Sequence, residues 1–224
     1  MDAIERAAAL RAYADETASC TRCALATGRT QVVFGTGNPD ADLMFVGEAP
    51  GFHEDQQGLP FVGQAGQLLD RLLAGIGLER DDVYVCNTLK CRPPGNRDPI
   101  EEEIAACEPH LFRQIELVQP RVVATLGNFA TRLLSGRSLG ITRVHGSEQE
   151  VTLGSSRVLL YPLYHPAAAL YTPSMLQVLE QDFGRLPELL GRVVPIEPVE
   201  AEPCPDDAGG ADTAVREVVQ LGLF

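Results

Sequence analysis

Two cysteines in C-T-R-C, Cys20 and Cys23, and two distant ones, Cys91 and Cys107, bracket a glycine-rich run that carries acids and an imidazole, Gly47-Glu48-Ala49-Pro50-Gly51-Phe52-His53-Glu54-Asp55. The run continues as Gln56-Gln57-Gly58-Leu59-Pro60-Phe61-Val62-Gly63-Gln64-Ala65-Gly66, and a second short pattern, His165-Pro166-Ala167-Ala168-Ala169-Leu170, lies near the far end of the body. A C-x2-C pair places two thiolates on one turn, close enough to hold one metal centre. Glu48 offers a carboxylate, Asn87 an amide that both accepts and donates, and His165 a ring donor. This set points to a metal-stapled enzyme with a compact polar pocket.

Spacing alone does not choose the metal. Cys91 and Cys107 form C-x15-C rather than a second C-x2-C, which departs both from a zinc ribbon and from ferredoxin runs. Cys107 falls on an apolar helix face, where a plain core cysteine is the alternative; beside C-T-R-C it reads as a ligand. Cys86 lies inside an apolar strand and Cys204 in an acidic tail, and both read as non-ligands. Six cysteines in an intracellular chain are free thiols or metal ligands rather than a disulfide framework.

The elements that must position these residues follow from periodicity. Residues 4–18 read as a helix leading to Cys20, and 64–76 as a helix with Leu68, Leu69, Leu72 and Leu73 on one face. Residues 42–46, 83–87, 121–126 and 158–163 read as strands, the last with a hairpin partner at 149–153, and residues 128–135 as a further helix. Asp98-Pro99-Ile100-Glu101 reads as a helix start with Asp98 as the cap, followed by an apolar face of Ile104, Cys107, Leu111, Ile115 and Val118. A helix over 174–190 closes the body. Alternating strands and helices predict an α/β fold of three layers, α/β/α, around a largely parallel central sheet. Ligands of such folds collect beyond the carboxyl ends of the strands, where Glu48, Asn87 and His165 all fall.

The two motifs and the cysteine spacing together resemble the family 4 uracil-DNA glycosylases, over residues from about 20 to 190. The resemblance implies a [4Fe–4S] cluster held by Cys20, Cys23, Cys91 and Cys107, and a uracil flipped out of DNA into the pocket, since the reacting bond is inaccessible in stacked duplex. It implies that Gly47, Ala49, Glu54, Phe61 and Asn87 bind the base. Phe61 would supply an aromatic face, and Asn87 would accept from uracil N3–H while donating to O4. His165 would donate to O2 as charge grows on the leaving base. Glu48 would orient the attacking water or stabilise the cationic sugar, two roles the sequence leaves open. Glu54 would lie near uracil C5, with a solvent-facing loop acid as the alternative. Leu170 and Tyr171 are candidates for the wedge that fills the vacated stack. The products would be free uracil and an abasic site, the first step of base-excision repair. A branch of the same superfamily that becomes covalently trapped on uracil has a basic, histidine-containing insertion before its last cluster cysteine; the 91–107 segment has no histidine, so ordinary turnover is expected. The competing readings are a redox protein, whose four-cysteine ligation would leave the polar pocket unexplained, and a noncatalytic iron-sulfur repair adaptor docked to the sliding clamp.

Composition sets the outer limits. A chain of 224 residues that is 45% hydrophobic supports one core, read as a domain over 1–191, a disordered acidic and proline-rich linker over 192–213, and a tail over 214–224. The net charge of −13 is awkward for a DNA-binding protein; seven acids and two arginines beyond residue 190 leave −8 on the body, so any DNA-binding surface must be local. Lys90 is the only lysine beside seventeen arginines, read as a coding bias rather than a functional demand. Arg92, Arg97 and Arg143 fall in loops where phosphate contacts and ordinary surface ion pairs are equally open. An acidic start and the lack of a long apolar segment predict a cytoplasmic protein without a membrane segment, and the body reads as a monomer. The terminal Gln220-Leu221-Gly222-Leu223-Phe224 resembles the Q-L-x-L-F peptide by which bacterial repair and replication proteins bind the β sliding clamp, which implies docking through Gln220, Leu221, Leu223 and Phe224. The alternative is an amphipathic helix, Val215, Val218, Val219 and Leu223, folded back on the body.

Overall fold

The computed structural model describes residues 1–192. A six-stranded sheet forms its middle layer: β1 (Thr36–Gly37), β2 (Leu43–Gly47), β3 (Tyr84–Asn87), β4 (Val122–Leu126), β5 (Gln149–Leu153) and β6 (Ser156–Leu163). The strands lie in the order β1-β3-β2-β4-β6-β5. The four central strands are mutually parallel, and the two edge strands pair antiparallel.

Side-chain alternation along the strands divides the interior in two. On β2, Leu43 and Phe45 face one core and Met44 and Val46 the other. The first core is covered by α3 (Gln64–Gly75), α7 (Pro166–Ala169), α8 (Pro173–Gly184) and α9 (Leu186–Arg192), through Leu68, Leu69, Ala169, Phe183 and Leu189 among others. The second is covered by α1 (Ala3–Ala18), α4 (Glu101–Val118) and α5 (Asn128–Ser135), through Leu10, Leu111, Ile115, Ala130 and Leu134. This is the expected α/β/α sandwich. Two short helices, α2 (Phe52–Gln57) and α6 (Ile141–Val144), ride on loops beyond the strand ends.

Several elements differ from the sequence reading, which did not foresee the edge strand β1 or the short helices α6 and α7. Helix α4 begins at Glu101 with Ile100 as its cap, not Asp98, because the Glu103 carboxylate accepts from the Ile100 N–H at 3.2 Å and is itself gripped by both terminal nitrogens of Arg97. The closing helix is two helices: α8 stops at Gly184, a poor helix former, and α9 restarts ahead of Pro187, whose ring tolerates the first turn but not a helix interior. The glycine-rich run contains a helix, α2, where only a loop was expected. Among the described residues no helix is long and apolar enough to cross a membrane. The 193–224 segment, with Cys204 and the Gln220–Phe224 motif, lies outside the described residues.

Candidate active site

The site is built where β2 and β3 end side by side. Gly47 and Asn87 are register partners, and a Cβ on Gly47 would collide with Asn87 Oδ1 and stand 2.6 Å from Phe61 Cζ. Only a bare Cα lets the amide and the ring close over this strand end. The next residues are cross-tied: Thr88 donates to the Gly47 carbonyl through both N–H (2.9 Å) and Oγ1 (3.1 Å), and the Leu89 N–H donates to the Glu48 carbonyl at 2.9 Å. Asn87 is itself buried. Among the described residues no protein group is bonded to its side-chain amide, which borders the pocket.

Phe61 is held in an unusual backbone conformation, φ 55°, a region that bulky residues rarely enter. Its neighbours over-determine it. The Arg80 Nη2 donates to the Phe61 carbonyl at 2.8 Å, and Gly66 in α3 lies so close to that carbonyl that any Cβ there would overlap it. On the other side, Glu54 Oε1 accepts from the N–H groups of Val62 (3.0 Å) and Gly63 (2.9 Å), and its Oε2 accepts from Gly51 at 3.1 Å. Glu54 thus ties the two ends of the glycine-rich loop together while lining the same cavity as Phe61. The structure places it as a loop clamp, a role the sequence did not reveal. Asp55 one residue on does similar work, buried and accepting from the Thr30 N–H at 2.9 Å.

His165 follows β6 and caps α7: the Ala167 N–H donates to its Nδ1 at 3.1 Å. A neutral ring whose Nδ1 accepts carries its proton on Nε2. Desolvation pushes its pKa down to about 4, partly opposed by the Glu54 charge, so the neutral tautomer persists at physiological pH. The ring lies 5.7 Å from that of Phe61, near parallel. Glu48 lines the same cavity, and burial and then the charge of Asp98 raise its pKa above the usual glutamate range.

Glu48, Ala49, Glu54, Phe61, Asn87 and His165 line one open cavity of about 380 Å³, sized for a small planar molecule. Tyr171, 85% exposed, stands on the loop after α7, whereas Leu170 packs partly against the first core. Arg97, with Asn96, reaches the cavity rim while bound to Glu103. Arg92 lies 5.1 Å over the exposed Phe52 ring and donates to Asn96 Oδ1.

A second, smaller cavity is lined by Cys20, Cys23, Cys91 and Cys107 together. Cys86 is buried in the second core instead. Three of the four sulfurs meet nitrogen groups: the Lys90 backbone N–H donates to Cys107 Sγ at 3.2 Å, Arg29 Nη1 to Cys91 Sγ at 3.5 Å, and His110 Nε2 stands 3.3 Å from Cys20 Sγ. Burial, offset in part by Lys90, pushes the Cys107 thiol up to about 11. Among the described residues no three His, Cys, Asp or Glu side chains converge on a single ion position. Sequence reasoning passed over Arg29 and His110 and read Lys90 as a coding bias; the solitary lysine was the one available signal.

A mostly parallel α/β sandwich that gathers a carboxylate, an amide and an imidazole beyond its strand ends has the layout of an enzyme's ligand site. The family model "Uracil DNA glycosylase superfamily" matches residues 34–184, and the chain belongs to that superfamily. It is 44% identical over 194 residues to a type-4 uracil-DNA glycosylase of Sulfurisphaera tokodaii, covering 84% of this chain and 86% of the relative. It is 47% identical to that of Saccharolobus solfataricus (79% and 84%) and 46% identical to that of Archaeoglobus fulgidus (80% and 92%), each described as type-4.

Proposed function

We propose that the protein is a uracil-DNA glycosylase of type 4, which takes uracil out of the DNA stack and hydrolyses its bond to the sugar. The observation that carries the reading is the meeting of three groups on one cavity: the unpartnered Asn87 amide, the Phe61 ring and the Nε2 side of His165. The extruded base stacks on Phe61. Asn87 accepts from N3–H and donates to O4, a pattern cytosine reverses. As the C1′–N1 bond breaks, the electron pair stays with the base, and the His165 Nε2–H stabilises the charge gathering on O2. Water oxygen bonds to C1′, and its proton passes to Glu48, whose raised pKa suits it to receive one. Glu54 sits at the pocket wall, and Leu170 and Tyr171 fill the gap in the duplex. Ala49 lines the cavity at the base edge, and Gly47 serves the base indirectly, by letting Asn87 and Phe61 close over the strand end.

Cys20, Cys23, Cys91 and Cys107 would hold a [4Fe–4S] cluster. Their side chains border one cavity, and N–H groups face the sulfurs of Cys91 and Cys107, which suits thiolate ligands of one group. Its chemistry here is structural, tying the segment after α1 to the β3–α4 region. The protein acts as a cytoplasmic monomer, and the Gln220-Leu221-Gly222-Leu223-Phe224 sequence docks a β sliding clamp through Gln220, Leu221, Leu223 and Phe224.

The test is uracil release from an oligonucleotide with a single uracil. Wild-type protein releases uracil, and Asn87→Asp, unable to donate to O4, loses activity by up to ~10⁴-fold, the scale of hydrogen-bond readout. Wild-type rates in Asn87→Asp would remove the basis of the reading.

A further inference from the structure

Lys90 lies between the two functional centres. Its side chain is 1% exposed, its Nζ donates to the Asn87 carbonyl at 2.7 Å, its backbone N–H donates to Cys107 Sγ, and it borders the cysteine cavity. Besides the Asn87 carbonyl, the buried Cys86 thiol is a hydrogen-bond partner of the Lys90 side chain. Among the described residues no carboxylate lies within ion-pair distance of it. A buried amine whose partners are a carbonyl and a thiol, with no carboxylate beside it, is costly, and removing such a group's partner destabilises strongly. The same lysine borders the cavity of the four cysteines, and its charge acts on the Cys107 sulfur, so a thiolate-bound group held there would lie beside it.

We infer that Lys90 is a positioning residue that supplies the charge balance of the iron–sulfur group on one side and fixes the backbone of the base-reading Asn87 on the other. The inference rests on the cluster reading above. Asn87 to Cys91 is a five-residue bridge, with the base reader at one end and a cysteine ligand at the other, and Lys90 closes it across its middle. Loss of the cluster would therefore disturb uracil reading without any contact between cluster and base.

The solitary lysine makes the test direct. Anaerobically purified protein is first assayed for iron, then treated with an acetylating reagent, and the Lys90 peptide is followed by mass spectrometry with the Met1 amine as internal control. Lys90 is expected to stay unmodified in the iron-loaded protein and to react once iron is stripped by oxidation and chelation, with circular dichroism reporting retained fold. Unchanged protection in stripped, folded protein overturns the inference, as does ready acetylation of the loaded protein. Should stripping unfold the chain, variants decide. Lys90→Met is expected to bleach in air about tenfold faster, from the lost charge interaction, and to lose roughly 10- to 100-fold in kcat/KM for uracil release through a displaced Asn87. Lys90→Gln, a neutral donor, should recover the kinetics more than the bleaching rate. Wild-type bleaching and kinetics in Lys90→Met overturn the inference even where iron is present, whereas wild-type protein free of iron overturns the cluster reading beneath it.

Discussion

Replacing Gly47 by alanine probes the tightest approach in the pocket. The added Cβ would fall 2.6 Å from Phe61 Cζ and 2.9 Å from Cε2, and nearer still to Asn87 Oδ1, against a floor of 3.0 Å for real Cβ contacts. The Phe61 ring must recede by about 0.4 Å at least, and the Asn87 amide by more. Neither can yield freely: the ring sits on a backbone pinned by Arg80, Glu54 and Gly66, and the amide sits on a strand in register with Gly47 itself. Overpacking of this kind costs about 2 kcal/mol, which lowers the melting midpoint of a domain this size by about 4–8 °C. Displacements approaching 1 Å at a reacting centre cost ~100-fold, so single-turnover uracil release is expected to fall roughly 10- to 100-fold. Gly75→Ala is the control, since nothing lies within 4 Å of a Cβ there, and it should leave the rate alone and the stability equal or slightly raised. A folded Gly47→Ala variant with the wild-type rate would refute the argument that the base reader and the stacking ring depend on a bare Cα.

Three further outcomes follow from the site and the chain. His165 has its folded-state pKa pushed from 6.5 down to about 4, so on acidification the unfolded chain takes up the proton first; the stability this residue contributes is complete above pH 6.5 and is lost as pH falls toward 4. Urea midpoints of the wild type should thus drop across that window more steeply than those of His165→Gln, and parallel curves would count against the buried neutral imidazole. Cys107→Ala should lower the iron content and destabilise the fold, while Cys86→Ala, in the second core, keeps its iron; the reverse pattern would reassign the ligands. Removing the last five residues should abolish binding to a β sliding clamp yet spare uracil release from short oligonucleotides, and equal clamp affinity of both forms would end the docking proposal.

Periodicity was enough to lay out the four parallel strands, the β5 hairpin partner and the main covering helices, though not the two-residue edge strand β1 or the short α7, because side-chain alternation on β2 and the Leu68, Leu69, Leu72 and Leu73 stripe on α3 are local consequences of burial. Motif chemistry also brought Glu48, Asn87 and His165 toward one pocket, since each stands at or just past a strand end that a parallel sheet must gather on one side, whereas Phe61 comes from the loop between α2 and α3. What periodicity could not supply was the origin of helix α4, the break before α9 and the helix inside the glycine-rich run, each settled by a side-chain bond or a proline whose effect depends on its neighbours. The clamp role of Glu54, the left-handed Phe61 and the contact from Arg80 join residues far apart in the chain, and only close packing decides which donor meets which acceptor. Lys90 shows the division most clearly. Its identity as the single lysine is plain in the sequence, but its burial between Asn87 and Cys107 comes from the way β3 turns toward α4, a long-range arrangement that no run of residues around position 90 encodes by itself.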